Sequence, residues 1–372
     1  MKRREFLFQL PAGLLLAKSC SLSRPGPTAG LRGEVFVTGV ISAAIPRPSF
    51  YEVAPDAPGH LIFFTGGGAV RCAPVPFEVH SVMQNPRHRN LALLVPKWGQ
   101  SLAVFDLVAF EVRQLASVKN ENRRFFGHAV WEPSGEHFWV TERDDGARHS
   151  VLSRWSRGLQ RERSHPTNSD YAHEVQWTPD GQLLVANAGS PRVGPALSWI
   201  SPATGRVERF IDCTSPDGVR YVSHLYQLPA LGKIFGIGKN DQRTNESLLL
   251  AVHRADGRVR AIRPPAGAAE LFRGESLSIE YDELRRQLAV TSVDRQGYFS
   301  LWDPEKEEFV SGIPGTGPRG VLTHRGAVYV TQNRGRSITG IAAGELVRAP
   351  FAAGGLDPRK WEWGAHVYRL AL

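Results

Sequence analysis

A chain of 372 residues ordinarily divides into two or three domains, unless one closed array of repeated sheets takes up the whole length. Lys plus Arg number 45 against 36 Asp plus Glu, a formal charge of +9 that falls to +6 without residues 1–19, and no basic run lies outside the N-terminus, which argues against a nucleic-acid partner. The excess leaves a mild bias toward anionic ligands or an ordinary solvated exterior, and three cysteines, Cys20, Cys72 and Cys213, make no disulfide framework.

The chain opens on a short basic segment, Met1 to Arg4, followed by a mostly apolar run from Phe6 to Ala17. That run is too short to span a bilayer and suits a signal peptide. Arg3 and Arg4 before Glu5, Phe6 and Leu7 are similar to a twin-arginine export signal, which implies passage in the folded state and a periplasmic destination. Cys20, directly after Leu16, Ala17, Lys18 and Ser19, resembles the cysteine of a bacterial lipoprotein box, so membrane attachment through a lipidated Cys20 stands beside cleavage to a soluble form. Residues 1–19 are therefore expected to be a leader, and 20–33, rich in Ser, Pro and Gly, a tether.

From residue 34 onward one pattern returns. Phe125 to Thr141 holds two short apolar runs separated by Pro133, Ser134 and Gly135, a hairpin signal with His128 at its front, and 172–187 repeats it around His173. Taking His80, His128, His173, His224, Ser276, Gly320 and His366 as equivalent positions, the steps are 48, 45, 51, 52, 44 and 46 residues. A period of this size with about four short strands per unit predicts an all-β fold, a seven-bladed β-propeller over 34–372. Glu34–Val40, Leu61–Thr65 and Val70–Val75 form an incomplete first unit, and the last residues, Ala365 to Leu372, supply its missing innermost strand. Pairing of the two ends thus closes the ring. Third strands are expected at Ser101–Phe105, Leu197–Ile200, Leu249–His253 and Tyr298–Trp302; 143–150, 158–171 and 187–196 read as loops, and at most one helical turn is expected, near Asp357 to Glu362.

Radial geometry brings the starts of the innermost strands to a shared axis. Five of the seven equivalent positions are histidine, His80, His128, His173, His224 and His366. Two readings follow: the imidazoles fix the register between neighbouring units, or they ring the channel and hold a transition metal such as Cu, Zn or Fe, or an anion. Glu174 and Glu275, next to these positions, would complete a metal site or orient its imidazoles. A second polar set, Lys97, Glu142, Arg143, Asn187, Lys239, Asn240, Asp294, Gln332 and Asn333, recurs 12 to 19 residues further on, where second strands return to the same mouth. With Arg124, just ahead of His128, these residues make a polar funnel suited to a small anionic ligand or to a periplasmic or membrane-associated protein partner. Lys97, Arg124, Glu142, Asn187, Lys239 and Asn333 are its expected ligand contacts. No nucleophile with a matching base is evident. The recurring tryptophans, Trp131, Trp139, Trp155, Trp177, Trp199 and Trp302, read as packing between units.

The stretch RFFGHAVWEPSGEHFWVTE, followed by YAHEVQWTPDGQLLVANAG, resembles the paired signature of the DUF1513 family, with Gly127-His128, Ala172-His173-Glu174 and Ser223-His224-Leu225 on its three short histidine elements. The resemblance implies an exported propeller-like protein, often carrying a twin-arginine signal, from iron-associated gene clusters, and it carries over no catalytic activity. The function expected is that of a binding or accessory protein in metal or iron handling. A metal-dependent periplasmic oxidoreductase or hydrolase and a protein-interaction scaffold remain alternatives.

Overall fold

The computed structural model describes residues 34–42, 57–65, 70–190, 192–214, 218–239, 246–268, 272, 274–293, 297–315, 317–332, 337–342, 345–349, 361–364 and 366–371. The expectations for residues 1–33, Cys20 among them, lie outside this set, as do those for Asn240, Asp294 and Asn333.

The described chain is an all-β propeller. Six four-stranded antiparallel sheets follow one another in sequence, each running strand by strand from the hub outward. Their innermost strands are Val79–Gln84, Arg123–Trp131, Ala172–Trp177, Tyr221–Leu228, Glu275–Asp282 and Pro318–His324. A further, composite sheet joins Val35–Ser42, Gly59–Thr65 and Val70–Val75 to two short C-terminal strands, Trp361–Trp363 and Tyr368–Leu370, both antiparallel to Val35–Ser42. The ends of the chain therefore pair. The helical turn expected near Asp357 falls mostly outside the described residues, and its far end, Trp361–Trp363, is extended.

Second and third strands are apolar on both faces because each sheet is sandwiched between two others. Leu91–Pro96, Leu183–Asn187 and Ala196–Ile200 are buried throughout. One face of the composite sheet packs Val35, Leu61 and Phe63 against Val82, Leu94 and Phe105 of the first four-stranded sheet. Its other face packs Phe36, Phe64 and Trp363 against Leu322 of the sixth. Outermost strands such as Glu111–Ser117 and Arg161–Pro166 are largely solvated, and their polarity explains why 158–171 reads as loop in the sequence although it contains a strand.

Side chains also pin the stagger of neighbouring sheets. The Trp131 indole donates to the Met83 carbonyl at 2.9 Å, that of Trp177 to the Trp131 carbonyl at 2.8 Å, and the Gln227 amide to the Trp177 carbonyl at 3.0 Å. Equivalent points on successive innermost strands are thus linked in series, each donor satisfying a carbonyl that the sheet ladder leaves spare.

Candidate metal centre at the hub

Each innermost strand loses register with its neighbour near its start. Val79 faces Pro96 while Ser81 faces Val95, leaving His80 extra; Ala172 faces Asn187 while Glu174 faces Ala186, leaving His173 extra. The shift spans Phe126 to His128 in the second sheet and falls on Ser223, directly before His224, in the fourth. In the composite sheet His366 lies in the gap between the two C-terminal strands, its carbonyl accepting the Thr38 hydroxyl at 2.7 Å. A bulge bends the strand and re-aims the side chain it carries. Bulges at or beside His80, His128, His173 and His224, and the gap between strands at His366, bring five imidazoles to one centre.

The rings of His224 and His366 lie 4.5 Å apart between centroids, those of His80 and His366 4.6 Å, His173 and His224 4.7 Å, and His80 and His128 4.9 Å. One ring nitrogen from each of His80, His128, His224 and His366 falls within 4.8 Å of all the others. Gly127 makes room for this packing. Its φ is +119°, and a Cβ there would sit 2.7 Å from Cε1 of His173.

Each imidazole is buried, and desolvation holds its pKa low, with neighbouring histidines and the Lys97 ammonium adding to the effect on His80, His173 and His366. His128 and His224 are lowered to about 3, again chiefly by burial. The hub is therefore a set of neutral imidazoles, the protonation state that metal ligation requires. Nδ1 of His173 lies 2.8 Å from the Phe126 carbonyl, which can only accept, so the proton sits on Nδ1 and the lone pair on Nε2. Among the described residues, Nε2 of His173 and Nε2 of His128 have no hydrogen-bond partner. Nδ1 of His224 lies 3.0 Å from Glu174 Oε2, which also accepts the Leu225 N–H at 3.0 Å.

Two different surfaces flank the imidazoles. On the mouth side, the Lys97 ammonium is 3.7 Å from Glu275, the Tyr221 hydroxyl donates to the same carboxylate at 3.4 Å, and the Lys239 ammonium stands 5.0 Å from the Tyr221 ring. Burial pushes the Glu275 carboxyl up, but Lys97, Lys239 and Arg319 outweigh it and leave the group below the usual carboxylate range. On the opposite side a cavity of about 560 Å³ runs along the innermost strands from His128, His224 and His366 to Gln176, Tyr226, Glu280 and Tyr368.

Of the funnel residues expected from the sequence, Lys97 and Lys239 stand at the mouth. Arg124, Glu142 and Asn187 are turned away. Arg124 pairs with Asp145 at 2.8 Å; Glu142, fully buried, accepts the Trp155 indole at 2.8 Å and pairs with Arg123; Asn187 donates to Ser198 at 2.9 Å within its own sheet. The cavity residues Gln176, Tyr226, Glu280 and Tyr368 escaped the sequence reading. A signal for them exists, since Glu174 and Gln176, His224 and Tyr226, and His366 and Tyr368 are two apart and so share a strand face. Burial, with the Glu174 charge adding to it, raises the Glu280 carboxyl to about 8, although the cavity leaves this side chain partly open to solvent.

The model of one family, described as a protein of unknown function (DUF1513), matches residues 73–370, a span that includes all five hub histidines. The chain belongs to the DUF1513 family. No curated protein matches it. Among solved structures, this DUF1513 chain is similar to the Kuenenia stuttgartiensis hydrazine synthase, with a TM-score of 0.61 at 13% identity over 78% of this chain and 90% of that one. It is also similar to the Cps50 (Swd1) β-propeller domain of Myceliophteria thermophila, with a TM-score of 0.54 at 12% identity over 78% and 90% of the two chains. Raptor of Chaetomium thermophilum gives 0.52 at 15% identity over 76% of this chain, which spans 25% of Raptor's length. At such identities the likeness establishes the propeller fold alone.

Proposed function

We propose that this DUF1513 protein is a metal-binding propeller of seven blades, the composite sheet being the blade that closes the ring. Its hub holds one transition-metal ion on His80, His128, His224 and His366, with His173 at hand as a fifth imidazole. The observation that carries the reading is the set of neutral, buried ring nitrogens within 4.8 Å of one another, together with the unpartnered Nε2 atoms of His128 and His173. Burying an unpaired polar atom costs about 1–3 kcal/mol, a cost that metal bonds would remove. All-imidazole donors suit copper, zinc or iron and disfavour magnesium and calcium, which take oxygen ligands. Glu174, bonded to Nδ1 of His224, fits the carboxylate that fixes the tautomer of a metal-bound histidine.

Elemental analysis of the purified full-length chain tests this. About one equivalent of copper, zinc or iron is expected, lost on combined His128→Ala and His224→Ala substitution while the circular dichroism spectrum is kept. A wild-type chain that neither retains metal nor takes up added Cu(II) or Zn(II) overturns the reading.

The role fits an exported binding or accessory protein, supported by the basic and apolar leader and by Cys20 after it. Its partner would be a periplasmic or membrane-associated protein meeting the charged mouth. Among the described residues no helix is long and apolar enough to cross a membrane. Arg3→Lys with Arg4→Lys is expected to leave the chain in the cytoplasm; unchanged fractionation removes the twin-arginine assignment. The cavity beside the imidazoles favours a second reading, a metal-dependent oxidoreductase or hydrolase, because it leaves room for a substrate next to the ion.

A further inference from the structure

A second cavity of about 740 Å³ opens between the second and third sheets, away from the hub imidazoles. Its walls are mostly turns: Arg143 stands near the end of the strand His137–Asp144 and Arg148 in the connection that follows it, Ser169 to Tyr171 come from the connection into Ala172–Trp177, and Arg192 from the connection before Ala196–Ile200. Backbone bonds lock these turns together. Ala188 N–H donates to the Tyr171 carbonyl at 2.8 Å, Gly189 N–H to that of Asp170 at 3.1 Å, and Ser150 N–H to that of Ser169 at 3.3 Å.

The charge in this cavity is uneven. Asp170 is committed to Arg143, with which it forms an ion pair, and to the Tyr171 N–H at 3.0 Å. It thereby cancels Arg143, whose guanidinium lies 4.2 Å from the centre of the Tyr171 ring. Arg148 and Arg192 also line the cavity, and among the described residues neither has an acidic partner. A third feature is Ser169. It is only 6% exposed, and its hydroxyl has no hydrogen-bond partner among the described residues although it borders the cavity. A buried, unsatisfied hydroxyl on a residue lining the same cavity as two guanidinium groups without acidic partners is what an oxyanion would complete.

The backbone adds an independent sign. Three non-glycine residues around the cavity, Arg148, Asn168 and Tyr171, have φ of 57°, 61° and 54°. Left-handed backbone costs an ordinary residue roughly 1–2 kcal/mol, and such strain gathers where a site must be held in shape. Pro166, Val193 and the Tyr171 ring give the same cavity an apolar side. A small cavity with an apolar wall and a few convergent polar groups matches the usual form of a ligand pocket.

We propose that this cavity is a second binding site, distinct from the hub, which takes a small organic oxyanion, a carboxylate or a phosphate ester, through Arg148, Arg192 and the Ser169 hydroxyl. Isothermal titration calorimetry of the full-length chain with succinate and, separately, with inorganic phosphate tests it. Saturable one-to-one binding of at least one probe is expected, and the probe that binds tells which oxyanion the cavity prefers. Affinity should fall about tenfold with Arg148→Gln and again with Arg192→Gln, both surface changes compatible with folding, as one charge-assisted contact is lost each time. Ser169→Ala should weaken binding in the folded protein as well. Absence of saturable binding of both probes, or binding by the Arg148→Gln/Arg192→Gln chain as tight as that of the wild type, overturns the proposal.

Discussion

Nε2 of His80 and Nε2 of His366 lie 3.2 Å apart although 286 positions separate the two residues. One nitrogen must donate and the other accept, so the two rings cannot both be protonated on both nitrogens without breaking the contact. The link exists only because the C-terminal strands dock onto Val35–Ser42. The docking of the chain's end therefore also places His366 against the other imidazoles.

In the metal-free chain the hub histidines are neutral and lie well below their ordinary pKa of 6.5, His128 and His224 at about 3. Above pH 6.5 neither the folded nor the unfolded state binds protons at these rings, and their contribution to stability is complete. As pH falls below 6.5 the unfolded chain protonates first and stability declines, by about 1.4 kcal/mol per pH unit for each such histidine. For His128 and His224 the loss levels off near pH 3, where their folded rings protonate too. Chemical denaturation of chelator-treated protein between pH 7 and 4 should show this slope, and a flat profile would mean that the rings are not buried together.

Glu280 should act in the opposite sense. Its carboxyl is raised to about 8 from an ordinary 4.5, so the folded state keeps a proton that the unfolded state has already released. Stability from this group is complete below pH 4.5 and is lost as pH rises toward 8. Glu280→Gln, which cannot ionise, is expected to raise the thermal midpoint at pH 8 relative to wild type and to change it little at pH 4.5.

Glu174 holds His224 through Nδ1. Glu174→Gln keeps the shape and removes the charge. Loss of such a partner typically weakens a metal site by about 10- to 100-fold, so competition with a metallochromic chelator should show weaker Cu(II) or Zn(II) binding with little change in the unfolding curve of the metal-free chain. Equal affinity would assign Glu174 a purely structural part.

Closure itself can be probed at Gly39. A Cβ on this residue would lie 2.1 Å from the Val79 carbonyl oxygen of the adjoining sheet. Gly39→Ala must push the composite sheet away from its neighbour, an overpacking cost of about 1–3 kcal/mol. Differential scanning calorimetry should record a lower midpoint, and the displaced composite strands should weaken metal uptake through His366. Thr38→Val, which removes the 2.7 Å hydrogen bond to the His366 carbonyl, should cost about 1 kcal/mol.

Much of this architecture can be read from residue spacing. Regular steps between His80, His128, His173 and His224 carry the repeat, and turn pairs such as Asp180-Gly181 mark strand ends. Side-chain direction is less legible. Glu142 and Asn187 follow the hub positions at the expected interval, yet their side chains are held by partners within their own sheets, because one residue of register decides which face a strand side chain takes. The bulges responsible leave no uniform mark: Gly127 accompanies one of them, but His80 and His173 carry theirs between ordinary neighbours. Glu280 and Tyr226 were hidden for the same reason, since the cavity exists only where several innermost strands face one another.

The five imidazoles come from five separate sheets, and one of them lies between the C-terminal strands. No fragment of the nascent chain can therefore assemble the full donor set. An ion held by the full set would tie the C-terminal strands to four other sheets at once, acting as a latch on the finished ring.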